Sequence, residues 1–167
     1  MSHKANVLQV IGYRNSGKTT LICRLVRKLT EEGFRIGTVK HDAHRFEMDH
    51  PGKDTWQHRM AGAETVAITS KEQTAIIRQQ HTPLDDLLHE MRDHDIVLIE
   101  GFKFAHYPKI VIVRSEDQLP LLEKAENILA VVSWIPVQRT TAPVFDIHNF
   151  TGVYTQFLKF MKEEGLT

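Results

Sequence analysis

The segment GYRNSGKTT, residues 12–20, constrains the fold of this chain more than any other stretch. It has the form G-x-x-x-x-G-K-[ST], which is the P-loop that binds nucleotide phosphates. The glycines let the backbone curl so that N–H groups point at phosphate oxygens, and a helix that begins at Gly17 adds its positive N-terminal end. An apolar strand at Val7–Gly12 precedes the motif, and leucines at helical spacing follow it. The motif therefore predicts binding of a nucleoside triphosphate.

Each position of the motif has an expected partner. Lys18 reaches the β- and γ-phosphates, and the Thr19 hydroxyl is placed for Mg²⁺. The alternative is a purely structural glycine-rich turn, which does not require the strand and helix that flank this one. The expected nucleotide-binding residues are Gly12, Arg14, Asn15, Ser16, Gly17, Lys18, Thr19 and Thr20.

An acidic residue at the end of a second buried strand completes such a site, because it holds Mg²⁺ directly or through water. The segment DIVLIEG, residues 95–101, has four apolar residues followed by Glu100. Aspartate is more usual here, so Glu100 is expected to act through water or to position the attacking nucleophile. Lys18 and Glu100 are the expected catalytic residues, and Lys103 is a candidate for contact with substrate.

Short apolar runs alternate with amphipathic stretches along the rest of the chain, and no repeat or linker divides it. The patterns predict further strands at 35–40, 95–101, 109–115 and 128–134, and helices at 53–63, 84–91 and 149–164. The runs 65–70 and 74–79 are close enough in sequence to form a hairpin. We expect one domain, residues 1–167, with the α/β three-layer fold of P-loop NTPases. This fold has a mostly parallel sheet, helices on both faces and one antiparallel strand.

Charge and composition exclude several classes of protein. Lysine plus arginine equals aspartate plus glutamate, 21 of each, so the formal net charge is zero. Nucleic-acid-binding proteins normally have a basic excess, so we expect no nucleic-acid partner. The single cysteine, Cys23, excludes an intramolecular disulfide and a multi-cysteine zinc site. The longest apolar run, ILAVVSWIPV, is about half of a membrane span, so we expect a cytoplasmic protein without a membrane partner.

The segment TVKHDAHRFEMDHPGKD, residues 38–54, contains a partial match to the guanine-recognition code [N/T]-K-x-D. Its core, VKHD, lacks the first residue of the code and follows the second strand. In GTPases that carry the code, it follows a later strand. The corresponding segment here, AVVSWIPVQRTT, contains no such code, so motifs alone leave the choice between GTP and ATP open.

The same segment is rich in side chains that ligate metals. A transition-metal site at His41 and His44 is one hypothesis, although no thiolate or regular ligand spacing accompanies them. On the other hypothesis, Asp42 joins Thr19 and Glu100 around Mg²⁺. The basic residues of the segment, Lys40, His41 and His44, then contact an anionic substrate. Lys53 and Asp54 also have interpretations without a functional role. Lys53 would then be a surface lysine, and Asp54 an acid that stabilises the N-terminus of a helix. The expected substrate or switch residues are Lys40, His41, Asp42, His44, Lys53, Asp54 and Lys103.

Together these segments resemble the MobB family of molybdenum cofactor biosynthesis, the molybdopterin-guanine dinucleotide biosynthesis adaptors. The resemblance runs in family order from Val7 to Arg114, and the carboxyl third of the chain matches only loosely. The P-loop alone is generic, whereas the later segments together are specific. They are GTVKHDAH, DHPGKDTWQHRMAGA, DIVLIEGFK and PKIVIVR.

The resemblance implies a homodimeric GTP-binding protein, mainly an accessory protein with weak GTPase activity at most. Such a protein assists the guanylyltransferase that joins GMP to molybdopterin, and molybdopterin is a further candidate ligand. The P-loop role passes to Gly12–Thr20 and the acidic Mg²⁺ role to Glu100. The loop that faces the nucleotide or the pterin phosphate would comprise Lys40, His41, Asp42 and His44.

Two other functions also suit a P-loop with Mg²⁺. One is a small-molecule or nucleotide kinase, which needs an acceptor pocket and usually an arginine-bearing lid. Arg114 and Arg139 are isolated in sequence, and no arginine-rich segment suggests a lid. The other is a metallochaperone-type GTPase, in which the histidine-containing loop delivers a metal ion.

Overall fold

The structure, a computed structural model, describes residues 6–42, 46–138 and 140–165. Two residues named above, His44 and Arg139, lie outside the described residues. In chain order the elements are β1 (Asn6–Gly12), α1 (Lys18–Glu31), β2 (Ile36–Lys40), α2 (Asp54–Met60), β3 (Thr65–Thr69), β4 (Thr74–Arg78), α3 (Leu84–Glu90), β5 (Ile96–Glu100), β6 (Lys109–Val113), α4 (Pro120–Lys124), β7 (Ile128–Ser133), β8 (Val144–Asp146) and α5 (Phe150–Glu163).

The internal contacts divide the chain into two compact units. The first comprises Met1–His41 and Leu88–Thr167, and the second comprises Asp42–Leu87. One boundary lies within α3 and the other follows His41. The sequence has no linker at either point, so its composition does not indicate the division. That the whole chain, residues 1–167, acts as one nucleotide-binding domain stays a prediction.

The first unit is built on a six-stranded sheet with the order β2-β5-β1-β6-β7-β8. Every neighbouring pair in this sheet is parallel. The carboxyl ends of the strands therefore meet at one edge, where ligands bind in sheets of this kind. Because β5 pairs with β1, Glu100 lies in register with Val10, near the start of the P-loop.

Alternate residues of the strands point to opposite faces of the sheet and contribute to two apolar cores, one on each face. Leu8 and Val10 of β1 face a core that α1 and α5 cover, for example with Leu25 and Phe157. Ile11 faces the opposite way, into a smaller core that α4 covers. Helices therefore lie on both faces, as the sequence predicts.

The expected antiparallel pairing is present, but it lies outside the main sheet. In the second unit, β3 and β4 form a two-stranded sheet of their own, with Thr65 opposite Arg78. The Ser70 amide donates to the Gln73 carbonyl at 2.9 Å and closes the hairpin. A connection this short permits only antiparallel pairing, because a parallel neighbour needs a crossover of a dozen or more residues.

Two short elements of the first unit were not predicted. Strand β8 has three residues, and its exposed Val144 and Asp146 do not show a buried run. Helix α4 has five residues, too few for a clear helical period, although Leu121 is buried. Both elements depend on tertiary contact rather than on a local pattern.

Candidate functional site

Gly12 ends β1, and the P-loop curls back between this strand and α1. A Cβ at Gly12 would lie 2.7 Å from the Ser16 hydroxyl and 2.8 Å from the Ile112 carbonyl, so a larger residue does not fit there. Asn15 and Gly17 have positive φ values of 59° and 107°, and left-handed residues of this kind are found in backbone nests that bind anions. The segment thus adopts the curled backbone that its sequence predicts, and phosphate binding by this segment stays a prediction.

Lys18 arches over this loop, and its Nζ donates a hydrogen bond to the Tyr13 carbonyl at 2.7 Å. Burial lowers the pKa of Lys18, and the nearby Lys103 and Lys40 lower it further, while Glu100 acts in the opposite direction. Lys40 Nζ lies 3.9 Å from a Glu100 carboxylate oxygen. Three lysines around one carboxylate leave a positive excess, which favours an anionic ligand such as a phosphate chain.

Thr19, in the first turn of α1, contacts Glu100, the last residue of β5. The Thr19 hydroxyl lies 3.1 and 3.0 Å from the two carboxylate oxygens of Glu100. Glu100 is buried, with 9% of its surface exposed, so its oxygens are directed into the site. A hydroxyl and a carboxylate converging in this way are the oxygen ligands that Mg²⁺ prefers, so the residues present fit this ion.

The chain turns sharply after Glu100 and packs against the end of β2. Gly101 has a φ of +96°, and a Cβ there would lie 3.1 Å from the Cβ of His41. The His41 amide donates to the Glu100 carbonyl at 2.9 Å, and its ring lies 4.6 Å from that of Phe102. The ammonium of Lys103 lies 4.0 Å from the centre of the Tyr13 ring, so the turn also contacts the P-loop.

Two buried polar residues hold this turn, and neither was predicted. Gln9 is fully buried in β1, and its amide donates to the Gly101 carbonyl at 2.6 Å and to the Phe102 carbonyl. Lys109 pairs with Gln9 across the sheet, and its amine donates to the Ala105 carbonyl at 2.6 Å. Burial lowers the pKa of Lys109. The signal in the sequence is a polar residue inside an otherwise apolar strand.

Two side chains that directly follow β6 and β7 donate hydrogen bonds to carbonyls of the P-loop. Arg114 donates to the Asn15 carbonyl at 2.8 Å, and the Trp134 indole donates to the Ser16 carbonyl at 3.0 Å. In the sequence Arg114 is isolated, with no arginine-rich segment around it. The fold places it next to the P-loop, since β6 is the neighbour of β1.

Among the predicted residues that the structure describes, three belong to the second unit. Asp42 is its first residue, Lys53 immediately precedes α2, and Asp54 is the first residue of that helix. Their proposed roles at the nucleotide site stay predictions. Asp49, an acid of the same segment, accepts hydrogen bonds at 3.0 Å from the Thr55 hydroxyl and from the His50 amide.

Within residues 6–42, 46–138 and 140–165, no group of three or more His, Cys, Asp or Glu side chains could hold a metal ion. This finding does not extend to His44, which lies outside those ranges. Over the same part of the chain, no helix is both long and apolar enough to cross a membrane.

Comparison with known proteins identifies the family of the chain. A family model described as Molybdopterin guanine dinucleotide synthesis protein B matches residues 7–134. The chain belongs to the MobB family. The Molybdopterin-guanine dinucleotide biosynthesis adapter protein of Haemophilus influenzae is 36% identical over 142 residues, covering 83% of this chain and 80% of the relative. A probable adapter protein of the same description from Bacillus subtilis is 38% identical over 130 residues, covering 75% of each chain.

Solved structures of MobB proteins share this fold. The MobB protein homolog from Bacillus stearothermophilus superposes with a TM-score of 0.78 at 31% identity, covering 95% of this chain and 99% of that one. Bacillus subtilis MobB gives a TM-score of 0.77 at 32% identity, covering 90% and 97%. The hydrogenase maturation factor HypB from Archaeoglobus fulgidus gives 0.51 at 16% identity over 96% of this chain and 89% of its own, a likeness of fold alone.

Proposed function

We propose that this member of the MobB family is a GTP-binding adapter in the biosynthesis of molybdopterin guanine dinucleotide, with weak GTPase activity at most. The observation that carries the proposal is the contact of the Thr19 hydroxyl with both carboxylate oxygens of Glu100, next to the P-loop lysine. The names of the curated relatives support the pathway. GTP is chosen over ATP because of the family resemblance.

In this proposal the phosphates lie in the curl of Gly12–Thr20, on the backbone N–H groups and at the N-terminus of α1. Lys18 exchanges its bond with the Tyr13 carbonyl for bonds with the β- and γ-phosphates. Thr19 and Glu100 would hold Mg²⁺, with Asp42 as a further ligand. When bound, this ion supplies positive charge that neutralises the phosphate oxygens.

The remaining residues act on the side of the substrate. Lys40 and Lys103 add positive charge around Lys18, which suits the phosphate of a pterin or of the nucleotide. We assign contact with the substrate to His41, Asp42, His44, Lys53 and Asp54 on the basis of the family resemblance. The partner is the guanylyltransferase that joins GMP to molybdopterin, and the protein acts as a cytoplasmic homodimer.

The test is calorimetric titration of the purified protein with GTP and with ATP, in the presence of Mg²⁺. Lys18→Ala should abolish binding of both triphosphates with little loss of stability, because the lysine is the main charged contact of the phosphates. Arg27→Ala is the matched control, since Arg27 is an exposed basic residue on the same helix. Unchanged affinity in Lys18→Ala would contradict the assignment of the P-loop.

The adapter role needs a second experiment. Titration in the presence of purified guanylyltransferase should show binding of the two proteins, and GMP transfer to molybdopterin should increase when this chain is added. Stoichiometric phosphorylation of a small-molecule acceptor would instead support the kinase alternative and overturn the proposal.

A further inference from the structure

An aromatic side chain stands exposed beside the phosphate cradle, and the proposed roles of the P-loop do not use it. Trp134 follows directly after β7 and exposes 47% of its surface. A large, half-exposed indole offers an apolar face on which a planar ligand can stack. Its position next to the P-loop raises the question of which ligand would cover it.

The indole is held in place rather than free to rotate. Its Nε1–H donates to the Ser16 carbonyl at 3.0 Å, which ties the ring to the loop that would bind the phosphates. The His148 ring meets it edge-on, with 5.9 Å between the ring centres. His148 follows β8, and its amide is fixed by the Asp146 carboxylate at 2.8 Å.

A guanidinium group flanks the same ring. The central carbon of Arg114 lies 5.7 Å from the centre of the Trp134 ring. Its Nη1 donates to the Asn15 carbonyl at 2.8 Å, so the arginine is anchored on the P-loop as well. The ends of β6, β7 and β8 thus place three planar groups around one side of the loop: Arg114, Trp134 and His148.

This arrangement has the chemistry of a nucleobase site. Bases stack on aromatic rings and on arginine planes through their π faces, and such stacking is tolerant of base identity. The lack of a guanine-recognition code after β7 fits a site that gains affinity by stacking rather than by reading base edges. Both anchors connect the platform to the carbonyls of residues 15 and 16, inside the phosphate cradle.

We infer that Trp134, flanked by Arg114 and His148, forms the platform on which the base of the bound nucleotide stacks. This inference rests on the proposed nucleotide-binding function and adds the subsite for the base. It implies that stacking on the Trp134 ring contributes about equally to the affinity for GTP and for ATP, and contributes nothing to the affinity for a phosphate chain without a base.

The test compares the binding of GTP, ATP and inorganic tripolyphosphate by calorimetry with Mg²⁺. Trp134→Leu should weaken GTP and ATP binding about 5- to 150-fold, the loss typical of one base–aromatic stack. Tripolyphosphate binding should weaken far less, because it loses only the support that the Trp134 N–H gives to the Ser16 carbonyl. Trp134→Phe keeps an aromatic face but lacks the N–H donor, so it should retain most of the affinity for GTP and serves as the matched control.

Fluorescence gives an independent measurement. The chain has two tryptophans, so Trp56→Phe leaves Trp134 as the sole indole emitter. GTP should quench this emission because the base stacks on the ring, whereas tripolyphosphate should not quench it.

Four results would overturn the reasoning, and they can be told apart. Equal losses of GTP and tripolyphosphate affinity in Trp134→Leu would mean that the indole only supports the P-loop through Ser16. Affinity for GTP equal to that of the unsubstituted protein would mean that the base lies elsewhere. If the unsubstituted protein binds tripolyphosphate as tightly as it binds GTP and ATP, the base makes no contribution and the platform is refuted. If the unsubstituted protein binds no triphosphate at all, the proposed function fails together with the platform.

Discussion

Substituting Gly101 with alanine tests whether the turn after Glu100 determines the geometry of the site. Gly101 has a φ of +96°, in the left-handed region that residues with a Cβ rarely adopt. Its added Cβ would also lie 3.1 Å from the Cβ of His41 and 3.3 Å from the His41 carbonyl oxygen. The substitution therefore causes both backbone strain and a steric conflict with the end of β2.

The chain offers a matched control for the first of these effects. Gly33, after the end of α1, has a φ of +92°, but a Cβ there would meet no atom within 4 Å. Left-handed strain costs roughly 1–2 kcal/mol, and the reduced entropy of the unfolded chain offsets about 0.5 kcal/mol of it. Gly33→Ala should therefore lower the free energy of unfolding by about 1 kcal/mol.

Gly101→Ala should cost more, because a close contact adds to the same strain. Crowding in a packed site typically costs about 1–3 kcal/mol, which brings the total to about 2–4 kcal/mol. For a chain of this size, the melting temperature should fall by about 3 °C in Gly33→Ala and by about 6–12 °C in Gly101→Ala. Thermal unfolding followed by circular dichroism measures both shifts.

Nucleotide binding separates the two variants further. Relief of the contact moves His41, whose amide donates to the Glu100 carbonyl, and so displaces Glu100 from Thr19. GTP affinity in Mg²⁺ should fall in Gly101→Ala and stay unchanged in Gly33→Ala. Equal melting temperatures in the two variants, or full GTP affinity in Gly101→Ala, would refute the role assigned to this turn.

The remaining predictions concern two buried ionisable residues. Glu100→Gln keeps the size of the side chain but removes its charge, so GTP affinity should lose most of its dependence on Mg²⁺. Titrations with GTP in Mg²⁺ and in EDTA measure this dependence. The same dependence in the variant as in the unsubstituted protein would contradict the prediction. The pKa of Lys109 is lowered from its ordinary value of 10.5 by burial, with Glu126 acting in the opposite direction. Between the lowered pKa and 10.5 the unfolded chain binds more protons, so the free energy of unfolding rises with pH in that window. Lys109→Met should flatten this rise in urea unfolding measured at successive pH values, and identical slopes in both proteins would rule out the effect.

Local sequence patterns were sufficient for the elements that carry the candidate site. The P-loop follows from glycine spacing, since only glycine tolerates the conformation at Gly17 and the close approach of other atoms at Gly12. Apolar runs predicted the five longest strands of the main sheet and its mostly parallel arrangement. Glu100 was identified as an acid at the end of a buried run, and the structure brings it next to Thr19.

Long-range pairing decided what these patterns could not. Thr19 and Glu100 are 81 residues apart, and they meet because β5 pairs with β1. Trp134 and Ser16 are 118 residues apart, and nothing in the sequence near either residue predicts their contact. The hairpin of β3 and β4 was foreseen, but its separation from the main sheet was not.

The physical reason is the range of the interactions. Periodicity and glycine placement report on neighbours within a few residues, so they determine the strands, helices and the anion-binding curl. Strand order depends on which apolar faces bury one another across the whole chain, and a local pattern does not carry that information. The sequence alone therefore determined the P-loop and its lysine. Only the tertiary structure decided that Gln9 and Lys109 support the turn after Glu100, and that Arg114, Trp134 and His148 surround the phosphate cradle.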